Sequence, residues 1–174
     1  MEKGYVQVYT GNGKGKTTAS LGVVMRAVSA GLKVYIGQFL KDQEYNELKT
    51  LKNRFPEVTV EQYGSGLGCF VRNTPDAAEF DAARKGYEKA KKALISGKYD
   101  LVIMDEINIA VVFNLLSVNQ VLDLIKEKPN CTELIITGRY ASQEVRDAAD
   151  LVSEITEEKH YYTQGVLSRP GIEC

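Results

Sequence analysis

Nine consecutive residues, Thr10-Gly11-Asn12-Gly13-Lys14-Gly15-Lys16-Thr17-Thr18, carry the densest chemistry in the chain. The glycines allow successive backbone N–H groups to turn inward as a nest for phosphate oxygens. Lys16 adds a full positive charge and Thr17 a hydroxyl suited to Mg2+, and a helix starting here would add the positive end of its dipole. Nucleotide contacts are therefore expected from Gly11, Asn12, Gly13, Lys14, Gly15, Lys16, Thr17 and Thr18. The general pattern is G-x-x-x-x-G-K-[ST], and the chain departs from it at the first position, where Thr10 replaces glycine. A glycine-rich turn with two incidental lysines is the plain alternative, and Lys14 also fits a solvent-facing position.

A second cluster supports the first. Asp105-Glu106 closes the apolar run Leu101-Val102-Ile103-Met104. Phosphate-loop proteins keep a carboxylate at such a strand end for the magnesium shell. A carboxylate buried there without a partner is costly, so a cationic neighbour is expected. An exposed acidic turn capping the next helix is the competing reading. Arg139 follows another apolar strand, at the sheet edge where open α/β sheets bind ligands. Gln38 and Lys41 end a strand in the same way; for all three a surface role fits as well as a ligand contact. Arg26 reads as part of a solvated helix face. Tyr161 and Tyr162 have rings able to stack on a base or planar ring, with packing against the sheet as the default.

These residues need elements to hold them. Residues 5–9 read as a first strand, and 17–30 carry Leu21, Val24, Met25 and Val28 at helical spacing with Gly31 as C-cap. Strands are expected at 33–39, 58–60, 101–104, 134–136 and 151–152. Thr74-Pro75 reads as N-cap and first helical position of a helix running to about Ser96. Ser117 with Gln120 makes a capping-box pattern, and Ser142 caps a short helix to Ala149. Near-continuous apolar strands separated by helices require a mostly parallel sheet covered on both faces, so the fold class is α/β, doubly wound. With 174 residues and no repeat or linker, residues 1–174 form a single domain.

Composition excludes several function classes. Lys plus Arg number 22 against 23 Asp plus Glu, a net charge of −1, which argues against a nucleic-acid-gripping protein. Cys69, Cys131 and Cys174 are odd in number and unpaired in spacing, against a disulfide scaffold or zinc knuckle. His160 is the single histidine, so a multi-histidine metal site is excluded. The uncharged stretch 107–122 is too short and too polar to span a bilayer, and no signal-peptide pattern opens the chain. A soluble, cytoplasmic protein without membrane partners is expected.

Phosphate-loop logic does not give the reaction, since the same nest serves kinases, ATPases, GTPases and switches. The ordered set narrows it. Thr10 to Thr18, Gln38-Phe39-Leu40-Lys41, Met104-Asp105-Glu106, Ile136-Thr137-Gly138-Arg139, and Lys159-His160 with Gly171-Ile172-Glu173 together resemble the ATP:corrinoid adenosyltransferases of the P-loop type. The resemblance covers nearly the whole chain, and a threonine opening the loop is a feature of that family. It implies a RecA-like P-loop NTPase fold. It implies that a reduced corrinoid, cob(I)alamin or a relative, attacks the 5′ carbon of ATP and expels triphosphate, in adenosylcobalamin synthesis or salvage. Lys16, Thr17 and Glu106 would be catalytic, with Mg2+ held by Thr17, Asp105 and Glu106. A flavoprotein reductant and a homodimer are also implied.

The chain departs from the family in places. Leu67 and Cys69 stand near positions where members often carry Phe and Trp, Phe70 is the sole aromatic there, and Asp42 follows Lys41 where glycine is usual. No N-terminal extension precedes the first strand, so a closing lid is expected from residues 67–73 or the tail. The reading from a different class is a nucleotide-dependent switch or an ATPase without alkyl transfer. A kinase would need an Arg-rich lid, and no Arg cluster is visible.

Overall fold

The computed structural model describes residues 2–43, 45–65 and 75–173. In chain order these form β1 (Val6–Thr10), α1 (Lys16–Ser29), β2 (Val34–Phe39), α2 (Asn46–Arg54), β3 (Val58–Tyr63), α3 (Ala77–Ile95), β4 (Leu101–Asp105), α4 (Ile107–Val112), α5 (Val118–Glu127), β5 (Glu133–Thr137), α6 (Gln143–Ala148) and β6 (Leu151–Glu154). A short 3-10 helix, Tyr161–Gln164, follows. The strands lie in the order β3-β2-β4-β5-β1-β6, and every pair is parallel.

The apolar strands are buried on both faces because alternate residues enter two different cores. Val34 and Ile36 of β2, Leu101 and Ile103 of β4 and Ile135 of β5 pack with Val24 and Ala27 of α1 and Leu48 and Leu51 of α2. Their neighbours Tyr35, Phe39, Val102, Met104, Leu134 and Ile136 pack with Ala83, Tyr87, Ala90 and Leu94 of α3 and Val121 and Leu124 of α5. This is the expected doubly wound α/β sheet of RecA-like P-loop type, with β5 lying between the loop-bearing β1 and the acidic β4. Among the described residues no helix is long and apolar enough to cross a membrane.

Local signals set most boundaries. Gly31, at φ +74°, ends α1 in a Schellman arrangement, its N–H donating to Val28 and that of Leu32 to Ala27. Ser117 and Gln120 form the expected capping box, and the Ser142 hydroxyl accepts from the Val145 N–H. The start of α3 differs from expectation. Asp76 caps it, accepting from the N–H groups of Ala78 and Glu79, while Glu79 returns a bond to the Asp76 N–H at 2.8 Å. Pro75 therefore precedes the helix, because the Asp76–Glu79 box satisfies three otherwise free donors; Thr74 lies outside the described residues. Neither α2 nor α4 was expected. Only two of the nine residues of α2, Leu48 and Leu51, are buried. The β-branched run Ile107 to Val112 favours a strand on local propensity, yet it is helical behind a left-handed Glu106.

One close approach fixes how α3 meets the sheet. A Cβ added to Gly86 would lie 2.4 Å from Cγ of the buried Tyr63 ring. That ring packs edge-on against Phe39 at 5.2 Å and its hydroxyl is hydrogen-bonded to Tyr35. Alanine in place of a helix glycine ordinarily stabilises by about 0.5–1 kcal/mol. Here Gly86→Ala is expected to destabilise by about 1–3 kcal/mol, since α3 must move off Tyr63. Urea unfolding reads the sign; an unchanged or higher midpoint would refute the packing account.

Candidate functional site

The site lies at the carboxyl edge of the sheet, where β1, β2, β4 and β5 end. Between β1 and α1 the loop turns through Gly11 at φ +94° and Gly15 at φ +123°, conformations that favour glycine. Close packing adds a second demand. A Cβ on Gly11 would sit 2.4 Å from the Ile155 carbonyl oxygen, and one on Gly13 would sit 2.6 Å from that of Thr156. The Gly13 N–H donates to Ile155 at 2.8 Å, so it is engaged with the chain rather than pointing to a ligand. At the start of α1, Gly15 offers no side-chain cap and the first turn holds no acidic residue. Its N–H groups and dipole are left for an external anion.

Lys16 is buried at 6% exposure, its Nζ donating to the Gly11 and Gly13 carbonyls at 2.7 and 2.6 Å. Burial holds its ammonium below the ordinary lysine range; Glu106 and Asp105 oppose that shift and Arg139 adds to it. The lysine thus braces the loop while carrying the charge a phosphate would meet.

Asp105, 1% exposed, is the anchor of the floor. Its Oδ1 accepts from Thr17 at 3.0 Å and Thr137 at 2.7 Å, and its Oδ2 from Gln38 at 3.0 Å and Lys41 at 2.7 Å. Burial alone would raise this carboxyl; the Lys41 charge and the hydrogen bonds outweigh it and hold the group below the usual carboxylate range. Its neighbour Glu106 is different. The backbone N–H of Glu106 donates to the Thr137 hydroxyl at 3.0 Å, but no hydrogen bond among the described residues reaches its carboxylate. Burial, then the nearby Asp105 charge, raise the Glu106 carboxyl above its ordinary value.

These groups border a cavity of about 570 Å³. Asn12, Gly13, Lys14, Gly15, Lys16, Thr17 and Thr18 line one side, with Lys41, Glu106 and Arg139 beside them. Gln38 and Asp105 lie beneath the floor, Gly11 sits against Ile155, and Arg26 is in the exposed last turn of α1. The motifs did not reveal the rest of the lining: Tyr45, Asn46 and Glu47 around the start of α2, Leu21, and Glu157. The tail contributes His160, Gly171, Ile172 and Glu173. Lys14 is tied to it, 3.3 Å from Glu173, whose carboxylate also accepts from Arg169 and Tyr161. Neither Tyr161 nor Tyr162 joins a sheet core; Tyr162 is 68% exposed. Leu67, Cys69 and Phe70 lie outside the described residues.

The donor set can be judged for a magnesium ion. Among the described residues no three His, Cys, Asp or Glu side chains form a self-contained cage. Mg2+ needs none, since it is ordinarily held by one or two carboxylates with substrate phosphates and water. The Thr17 hydroxyl and the unbonded Glu106 carboxylate are hard oxygen donors of that kind, so the residues fit.

The Lys41–Asp105 pair yields a pH-dependent expectation. Asp105 has a folded-state pKa depressed below its unfolded value near 3.9, so its contribution to stability is present above about pH 4 and is lost as pH falls through the folded value. Lys41→Met removes the strongest influence that lowers this carboxyl against burial, so its folded-state pKa should rise. The substitution should cost about 3–5 kcal/mol at pH 7. That cost should shrink as pH falls toward 4, where the stranded carboxyl takes up a proton. Urea midpoints of both proteins between pH 4 and 7 measure it; a cost independent of pH would contradict the assignment.

Comparison with known proteins agrees with this geometry. The family model described as ATP:corrinoid adenosyltransferase BtuR/CobO/CobP matches residues 2–174. A corrinoid adenosyltransferase of Sinorhizobium sp is 36% identical over 174 residues, covering 99% of this chain and 81% of that protein. The corrinoid adenosyltransferase of Escherichia coli (strain K12) is 36% identical over 173 residues, covering 99% and 86%. A glycine-rich loop between β1 and α1, a buried strand-end carboxylate and a cavity lined in part by the tail thus come with a match over nearly the whole length: the chain belongs to the ATP:corrinoid adenosyltransferase family.

Proposed function

We propose that this chain transfers the 5′-deoxyadenosyl group of ATP to the cobalt of a reduced corrinoid, releasing inorganic triphosphate, as a step in adenosylcobalamin synthesis or salvage. The observation that carries this reading is the uncapped start of α1 facing a cavity with Lys16 and Arg139, in a chain of this family. In the reaction the cobalt(I) electron pair forms a bond to C5′ of the ribose. The C5′–O bond breaks, and its electron pair leaves on the triphosphate. Cobalt is the nucleophile, so the protein needs no activated side chain of its own.

Its tasks are alignment and charge. Lys16, Arg139 and the free N–H groups of the first turn of α1 face the triphosphate and offset the charge that grows on it as the bond breaks. Lys14 adds positive charge at the rim, and Lys41, paired with Asp105, adds it deeper in the cavity. Thr17 and Glu106 would hold Mg2+, which supplies further positive charge to the phosphate oxygens. Asp105, with four hydrogen bonds already on its two oxygens, orients the Thr17 hydroxyl rather than acting as a primary ligand. The cavity walls fix the ribose carbon relative to the corrinoid, an orientation effect. A cytoplasmic location, a homodimer and a flavoprotein supplying the reducing electron complete the reading; family resemblance is their support.

Purified protein, Mg·ATP and chemically reduced cob(I)alamin under anoxic conditions test it. The visible spectrum should show cob(I)alamin replaced by a light-sensitive alkylcobalt product, with one triphosphate released per turnover. Lys16→Ala should lower the rate by about 10²–10³-fold. ADP and phosphate as products, or ATP binding without alkyl transfer, would instead favour an ATPase or a switch.

A further inference from the structure

The position where the chain departs from the general loop pattern has a specific contact. Thr10 is buried, 1% exposed, and its backbone is not left-handed, so nothing in its conformation calls for glycine. Its carbonyl accepts from the Ile155 N–H at 2.9 Å. Its hydroxyl Oγ1 accepts from the backbone N–H of Ala141 at 3.1 Å, across 131 positions of sequence.

Ala141 ends the turn that carries Arg139 to the cavity. That turn is strained at Tyr140, which stands at φ +59°, two residues after Gly138 at φ +125°, a value glycine adopts freely. A left-handed tyrosine costs on the order of 1–2 kcal/mol and persists only where its surroundings hold it. The turn is held at two points by consecutive residues of β1. The Gly138 N–H donates to the Tyr9 carbonyl at 3.2 Å, and the Ala141 N–H donates to the Thr10 hydroxyl. Asn108 adds a weak bond to the Gly138 carbonyl at 3.4 Å. A glycine at position 10 would leave Ala141 without its acceptor and the far end of the turn unpinned.

We propose that Thr10 is a positioning residue whose hydroxyl pins the 138–141 turn, so that Arg139 faces the same anion as Lys16. The inference rests on the triphosphate reading of the cavity given above. It predicts that loss of the hydroxyl weakens anion binding only through Arg139, leaving the rest of the loop intact.

The test is a double-mutant cycle on the full chain, read by calorimetric titration with inorganic tripolyphosphate in the presence of Mg2+. Thr10→Val removes the acceptor at nearly constant shape and should weaken binding about three- to tenfold. Thr10→Ser should stay within about twofold of the wild type. In an Arg139→Ala background, Thr10→Val should cause no further loss. Full affinity in Thr10→Val, or an equal loss with and without Arg139, would overturn the proposal. If circular dichroism shows that Thr10→Val does not fold, Thr10→Ala takes its place under the same criteria. Tripolyphosphate binding that follows this cycle in a protein that fails to alkylate cobalt would sink the transfer reaction and leave the role of Thr10 standing. A wild type that takes up no tripolyphosphate would overturn both.

Discussion

A single buried carboxylate organises the site. Asp105 sits at the end of the central strand β4, and its four donors come from α1, the end of β2, the segment after β2 and the end of β5. Leaving such a charge uncompensated in the interior would cost several kcal/mol, so those four elements cannot drift independently. The strand order makes the convergence possible, because β4 lies between β2 and β5 and both neighbours end level with it. Thr17, at the start of α1, is thereby tied to a sheet edge rather than to a loop alone.

The glycine-rich loop between β1 and α1 is constrained from its other side as well. Gly11 and Gly13 serve the chain before they serve any ligand, since residues 155 and 156 pack directly on them. The segment after β6 is therefore part of the loop's structure. The cavity lining then continues from this segment through Glu157 and His160 to the Glu173 cluster.

Much of this was legible in the residues. The loop between β1 and α1, the buried apolar strands and the Ser117–Gln120 box rest on local chemistry, and local patterns report them faithfully. What local patterns cannot report is spatial order. Gln38 and Lys41 read equally well as surface residues until β2 is known to lie beside β4. The helix α4 opposes its own propensity and follows from the left-handed Glu106 and its bond to Thr137, 31 residues away. In α2 too few apolar residues are present to reveal a period, yet its start helps to line the cavity. The contact between Lys14 and Glu173 spans 159 positions and has no sequence signature.

The bare beginning of α1 has a thermodynamic consequence. The helices α3 and α5 close their own first turns with reciprocal side-chain bonds, whereas α1 leaves its donors facing the cavity. The native state is thus completed by whatever anion it holds, and the unfolded chain has no equivalent place for one. Folding and substrate occupancy become a single linked equilibrium, worth about 2.7 kcal/mol when free ligand stands at a hundred times its dissociation constant. The melting temperature of this protein should therefore track the free concentration of the anion it holds, and should move with that concentration even while the cavity stays nearly full.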